Sequence, residues 1–436
     1  MNLALAKTES AVSNIFIDAR DRLPGTGAVA DIRRQAFDAF ERAGLPYRRI
    51  EDWKYTDLRT LMREVAPLAA APDANALARA RAALVLAGLE GASKLVLVDG
   101  IFAPELSDVD GLERGVSARA LREALESDGA GANLLATKTA DSVISLNAAM
   151  TTDGVLVDVP DGAALTRPIQ IVHVATCANA SAFTRSYLKI GKGAHVTLVE
   201  SFVAADGAKA YQANDALIVS IGDEAEVSQL RLMADAADAV NISSHISTIG
   251  AKAKVGLFNM TSGGGVSRLQ GFISLMGAGS ELSVNGVNLL KGTQHGDTTL
   301  FVDHAVPNCT SREIFRAVVD DRAHSVFQGR IIVRPDAQKT DAKMMTRALL
   351  LSDEAEADNK PELEIFADDV TCGHGATSGA LDDSLLFYLR ARGLPEKEAQ
   401  ALLIQAFVGE AIEQIGDEGL REHVMALAAN WLEARR

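Results

Sequence analysis

Cys372-Gly373-His374-Gly375 is the segment of this chain whose residue types and spacing could do chemistry. On an extended backbone, Cys372 and His374 at i and i+2 project to the same side. A thiolate and an imidazole suit iron, iron–sulfur species or zinc, and the flanking glycines leave both side chains accessible. A closed zinc or iron–sulfur site takes about four protein ligands, and only two are local here. Cys177, Cys309 and the other histidines are scattered along the sequence and complete no recognisable ligand motif. Two readings stay open: half of a metal site whose remaining ligands come from a partner, or a buried cysteine beside a capping histidine at a strand–helix corner.

Other chemistry is poorly served. The chain has no G-x-x-x-x-G-K-[ST] phosphate cradle, no G-x-S-x-G elbow, no dinucleotide fingerprint and no H-E-x-x-H. Gly191-Lys192-Gly193 and Gly263-Gly264-Gly265 lack the strand–loop–helix context that binds phosphate. If ATP is used, another chain must hydrolyse it. The acidic run Ser352–Asp369, with eight acids and one lysine, reads as a solvated loop leading into a strand, because it lacks the ligand pattern of a hard-cation loop.

The whole chain sets the context. It has 436 residues, 48% hydrophobic and 23% charged, enough for a sizeable core in two or three domains. A formal charge of −15 argues against a duplex nucleic-acid binder and against an anionic membrane surface. The longest apolar stretch, about eight residues at Ala82–Leu89, is too short for a membrane span. The first ten residues, MNLALAKTES, show no apolar core of a secretion signal. Three distant cysteines do not make a disulfide framework. A cytoplasmic protein is the expectation.

The elements that must position Cys372 and His374 fall in three segments. Residues 1–150 carry helix patterns: one capped by Asp31 and stopped by Gly44 and Pro46, a second at Ala74–Leu89 and a third at Ala118–Leu125, with a strand at Lys94–Asp99. Residues 151–377 alternate short β-branched runs with Gly, Asp and Asn turns. There Ile190-Gly-Lys-Gly-Ala-His-Val196 recurs at Ile221, Ile249 and Met276, at offsets of 31, 28 and 27 residues. Such a period can be one coil of a solenoid whose strands stack in parallel, with turn glycines giving corners of positive φ. A β-sandwich with coincidental turn spacing is the alternative. Residues 378–436 return to helix: Leu381–Arg392, then a helix with Pro395 in its first turn and a stripe at Ala399, Leu402, Leu403, Ala406, Phe407 and Ala411, then Asp417–Glu433. This short bundle should lean on something larger.

Several runs resemble the SufB/SufD family of iron–sulfur assembly scaffolds. They are Glu51-Asp-Trp-Lys-Tyr-Thr-Asp-Leu58, Val326-Phe-Gln-Gly-Arg-Ile331, Asp336-Ala-Gln-Lys-Thr-Asp341, Pro361-Glu-Leu-Glu-Ile365, Asp368 through Thr377, and Leu386-Phe-Tyr-Leu-Arg-Ala-Arg-Gly393. Cys372 two residues before His374, with Gly375 after it instead of the glutamate of SufB, is the SufD arrangement. Gly373 departs from the serine usual there, and Met344-Met345-Thr-Arg-Ala348 from the Asn-rich text of SufD relatives.

The resemblance implies a mainly β fold, a right-handed parallel β-helix flanked by N-terminal and C-terminal helical domains. It implies a non-catalytic subunit that pairs with SufB through the end of the β-helix, or with itself when isolated. It also implies that the C-terminal helices bind the SufC ATPase, and that sulfur comes from a SufS-type desulfurase. No cofactor is expected to be held stably by the isolated chain. A transient cluster or iron would pass the SufB–SufD interface, with reduced flavin as a further cofactor of the complex. His374 maps onto the family's interface histidine and is the candidate ligand, with Cys372 weaker. Two rivals compete: a structural homodimer without cluster chemistry, and a carbohydrate-active β-helix enzyme. The latter would want an export signal and an aromatic-rich groove, against 5% aromatics here.

Overall fold

Short β-branched runs between Gly, Asp and Asn corners build two long sheets, one of ten strands and one of nine. The computed structural model describes residues 14–62, 65–127, 131–136 and 141–434; the ten amino-terminal residues read for a signal lie outside them. In one sheet Ser181–Ile190, Gln212–Ile221, Val240–Ile249 and Val266–Leu275 pair in parallel. In the other, His195–Ala204, Glu226–Ala234, Lys254–Thr261 and Glu281–Leu290 do the same. Consecutive strands alternate between sheets, so one strand from each makes a coil, and about eight coils stack into a parallel solenoid. The sandwich alternative is excluded, since these strands ladder in parallel.

The repeat is the ladder register: Ile190, Ile221 and Ile249 stand in one column. The fourth member is Leu275, one residue before the Met276 that the text alignment picks, because Met276 is an inserted corner residue exposed to solvent. The recurrent glycine has a different reason from the expected one. A Cβ at Gly191, Gly222, Gly250 or Gly277 would stand 1.8–2.7 Å from the nearest atom of the preceding coil's corner, so the residue must be absent of side chain for coils to stack. The positive φ falls two residues later, at Gly193, Glu224, Lys252 and Gly279. The following small residue is fully buried as Ala194, Ala225, Ala253 and Ser280, and Cys309 continues the series, with its sulfur 3.3 Å from Ser280 Oγ. Cys309 is thus a corner filler of the stack.

Side chains alternate inward and outward along each strand, and the inward ones form one continuous core that includes Val196, Leu198, Val219, Val255 and Val284. Two outer faces are apolar as well, and helices cover them. On the ten-stranded sheet, Val199, Leu230, Phe258, Val287 and Val318 pack against Ile404, Val408, Ile412, Val424 and Trp431 of the helices Glu396–Ile412 and Glu418–Ala434. On the nine-stranded sheet, Phe183, Ile242 and Val266 meet Phe37, Phe40, Trp53 and Leu146. Those come from helix Ala28–Ala43, the Glu51–Leu58 run and helix Ser142–Met150, which is buried all round. The Glu51–Leu58 run is an anchor. Arg268, fully buried, stacks 3.8 Å from the Trp53 ring, donates to the Asp52 carbonyl at 2.7 Å and pairs with Asp297. Thr56 Oγ1 bonds both Asp297 and His295 Nε2.

Several local expectations shift. Helix Ala28–Ala43 starts at Gly27, a turn before Asp31, whereas Ala74–Ala87 is capped by the Asp73 side chain. Ser117–Ala120 is a strand paired antiparallel to residues 155–158, and only Leu121–Glu126 is helical. Pro395 is the N-cap and not a first-turn residue. The buried face of the next helix is Ala399, Ile404, Val408, Ala411 and Ile412, with Leu402 and Ala406 turned outward, because the sheet lies about one residue around the helix from the predicted stripe.

Candidate functional site

The solenoid ends open. Glu356–Ile365 closes the nine-stranded sheet and Thr371–Gly379 the ten-stranded one, and each pairs with a strand on one side only. Thr371 donates its N–H to Thr340, so by parallel-strand alternation Cys372 and His374 point theirs at the open side. Phe366 likewise donates to Val333, which turns the nitrogens of Ile365, Leu363 and Pro361 outward. An edge of this kind is a template for pairing with another chain. The acidic run is a short corner followed by the strand Glu356–Ile365, and half of its carboxylates are ion-paired. Glu362 and Glu364 meet Arg330, Asp358 meets His324, and Lys360 bonds Glu51 of the anchor run.

Cys372 stands over Ala342 and His374 over Met344, so both side chains belong to inward columns, as the i, i+2 spacing requires. Cys372 is half-buried against the solenoid core, while His374 is exposed because no further coil covers it. Burial raises the Cys372 thiol, with Asp341 and Glu313 adding to the shift, so the thiolate is disfavoured. Gly373 has open space where a Cβ would stand, room for the serine of SufD relatives. His374 and Cys372 join no third metal-capable side chain among the described residues.

Beneath Met344 in the same column lies Glu313, fully buried. Neither of its oxygens has a hydrogen-bond partner, and burial pushes its carboxyl up to about 8, against the weaker pull of Ser311 and Arg312. Its neutral form is the folded one, so native Glu313 holds a proton that the unfolded chain releases near its ordinary 4.5. Stability therefore falls as pH rises from about 4.5 to about 8, with a slope of up to about 1.4 kcal/mol per pH unit. Glu313→Gln should flatten urea-derived stability across that window and stabilise the chain at pH 8; an unchanged slope would contradict the buried neutral carboxyl.

Sequence reasoning missed a second cluster. His173, Glu200 and Asp215 place one ligand atom each within 4.8 Å of one another. They come from three strands in both sheets, so no local spacing announces them; only the coil columns could have done so. Sequence reading also missed a bare surface. In helix Asp383–Ala391 no residue is buried, and Leu385, Phe387 and Tyr388 are 51%, 74% and 53% exposed.

Among the described residues, no helix is long and apolar enough to cross a membrane. Two family models match the chain: SUF system FeS cluster assembly, SufBD core domain, over residues 173–407, and SufBD protein N-terminal region, over residues 8–171. The iron-sulfur cluster assembly protein SufD of Escherichia coli is 30% identical over 88% of this chain and 89% of its own length. An iron-sulfur cluster assembly SufBD family protein of Synechocystis is 30% identical over 88% of this chain and 86% of its own. SufD of Bacillus subtilis is 28% identical over 65% of each.

Proposed function

Since the chain belongs to the SufBD family of the SUF iron–sulfur cluster assembly system and resembles its SufD members, we propose that it is a scaffold subunit which pairs with SufB and docks SufC. The observation that carries this reading is the open solenoid end, where an exposed imidazole sits on an unpaired strand edge with too few ligands to hold a metal alone.

Each feature has a part. The outward N–H and C=O groups of Cys372, His374, Leu363 and Ile365 accept a second edge, which satisfies backbone groups of both chains. His374 then lies at the seam, where its neutral nitrogen ligates iron or a nascent cluster and a partner cysteine completes the set. Iron and sulfide are cargo here, delivered with the help of a SufS-type desulfurase. This chain binds and positions; ATP hydrolysis belongs to SufC, seated on the C-terminal helices. The assembly is cytoplasmic, and the isolated chain forms a homodimer through the same edge.

Co-expression with SufB and SufC should yield one complex containing all three by size-exclusion chromatography. A chain that elutes alone in the presence of both partners would defeat the reading. Ile365→Pro probes the edge itself. It removes an outward donor while leaving the ladder to Val333 intact, so the fold should survive by circular dichroism and the dimer should dissociate. An unchanged dimer mass by light scattering would count against edge pairing.

A further inference from the structure

The interior of the first coils holds charge that a hydrophobic core does not need. Glu200 is fully buried and Asp215 nearly so. His173 Nε2 lies 3.3 Å from Glu200 Oε1 and 3.8 Å from Asp215 Oδ1. Arg231 pairs with the other oxygen of Glu200 and lies 3.4 Å from Asp215 Oδ2. One guanidinium thus serves two buried carboxylates, which leaves the cluster a positive charge short in a medium where unpaired charge is costly. His173 Nε2 and Glu200 Oε1 are both buried and, although close, are too poorly aligned to hydrogen-bond each other, and neither has another hydrogen-bond partner.

The spacing of these orphan atoms has a chemical meaning. Ligands about 2.1 Å from one metal at angles between roughly 90° and 110° stand about 3.0–3.5 Å apart. The His173–Glu200 pair is within that range; the Asp215 oxygen, 3.8 Å from His173 and within 4.8 Å of Glu200, would have to draw in to complete the set. The donors are held in place: the His173 ring stacks on Phe202 at 4.3 Å, and Thr184 donates to Asp215 at 2.7 Å. His173 and Asp215 line a small cavity of about 40 Å³, with Cys177 and Tyr211 also on its wall.

We propose that His173, Glu200 and Asp215 form a binding site for a divalent first-row transition metal such as Zn²⁺, Fe²⁺ or Mn²⁺. An imidazole with two carboxylates favours this class over Cu⁺, which prefers sulfur, and over Ca²⁺ and Mg²⁺, which prefer oxygen alone. His173 lies seven strand spacings of ~4.8 Å, roughly 34 Å, from His374 along the ten-stranded sheet, and the site does not depend on the assembly role proposed above.

The test uses the untagged full-length chain, stripped with chelator and titrated with Co²⁺ under anaerobic conditions, read by visible absorption and calorimetry. One Co²⁺ per chain is expected, displaced by Zn²⁺. Glu200→Gln and Asp215→Asn should each weaken it at least about 100-fold. His173→Gln should do the same, and as the ligand nearest the rim it carries the test if the buried variants fail to fold. Cys177→Ser, on the cavity wall, and His374→Ala should bind as the parent does. The inference is overturned if the folded parent binds no stoichiometric Co²⁺, in which case the cluster is neutralised by a proton. Binding that survives His173→Gln, or that is lost in His374→Ala, would overturn it equally.

Discussion

Cluster yield should fall about tenfold or more when His374→Ala is assembled with SufB and SufC and reconstituted with iron and sulfide. His374 is exposed on the last strand, so removing its ring should change stability by less than about 0.5 kcal/mol. The complex should form normally. On the reading proposed above what is lost is a ligand, and Cys372, the neighbouring donor, is a weaker replacement because burial disfavours its thiolate. Cys372→Ala should accordingly cost far less cluster. Iron and sulfide per complex, with the visible spectrum of the cluster, give the measurement. A normal yield from His374→Ala would reduce the motif to a strand at the end of a solenoid.

Phe387→Glu should weaken SufC binding by roughly 30-fold or more, the effect of losing about 2 kcal/mol at an aromatic interface anchor. Phe387, Leu385 and Tyr388 form the bare face of helix Asp383–Ala391, a patch that a partner would desolvate. The substitution should leave the melting temperature unchanged, because this helix buries no residue. Truncation from residue 394 would be a poorer test. Val408, Ile412, Val424 and Trp431 cover Val199, Leu230, Phe258 and Val287, so their removal would expose an apolar sheet face and unfold or aggregate the chain. Unchanged SufC affinity of Phe387→Glu in a titration would move the dock off this helix.

The coil repeat, the helices at both ends and the shared side of Cys372 and His374 were legible in residue spacing, whereas the spacing left a parallel solenoid open against a sandwich and the family resemblance favoured the solenoid. The legible features are consequences of periodicity along the chain. A β-branched run between corners can only be a strand, and side chains two apart on it face the same way. The reason for the repeated glycine was not legible, because it lies in the 1.8–2.7 Å approach of one coil's corner to the next. The inserted Met276 was missed for the same cause: text aligns by identity, and ladders align by hydrogen bonds. The buried stripe of the Glu396–Ile412 helix was misplaced, since Leu402 and Ile404 are equally apolar and only the sheet beneath chooses between them. His173, Glu200 and Asp215 belong to three different strands, and Glu313 reads as one more surface acid until its column proves to run through the core. What lies within a coil is written in consecutive residues. What lies between coils is set by stacking register, which brings together residues some 30 positions apart and which only the assembled solenoid decides.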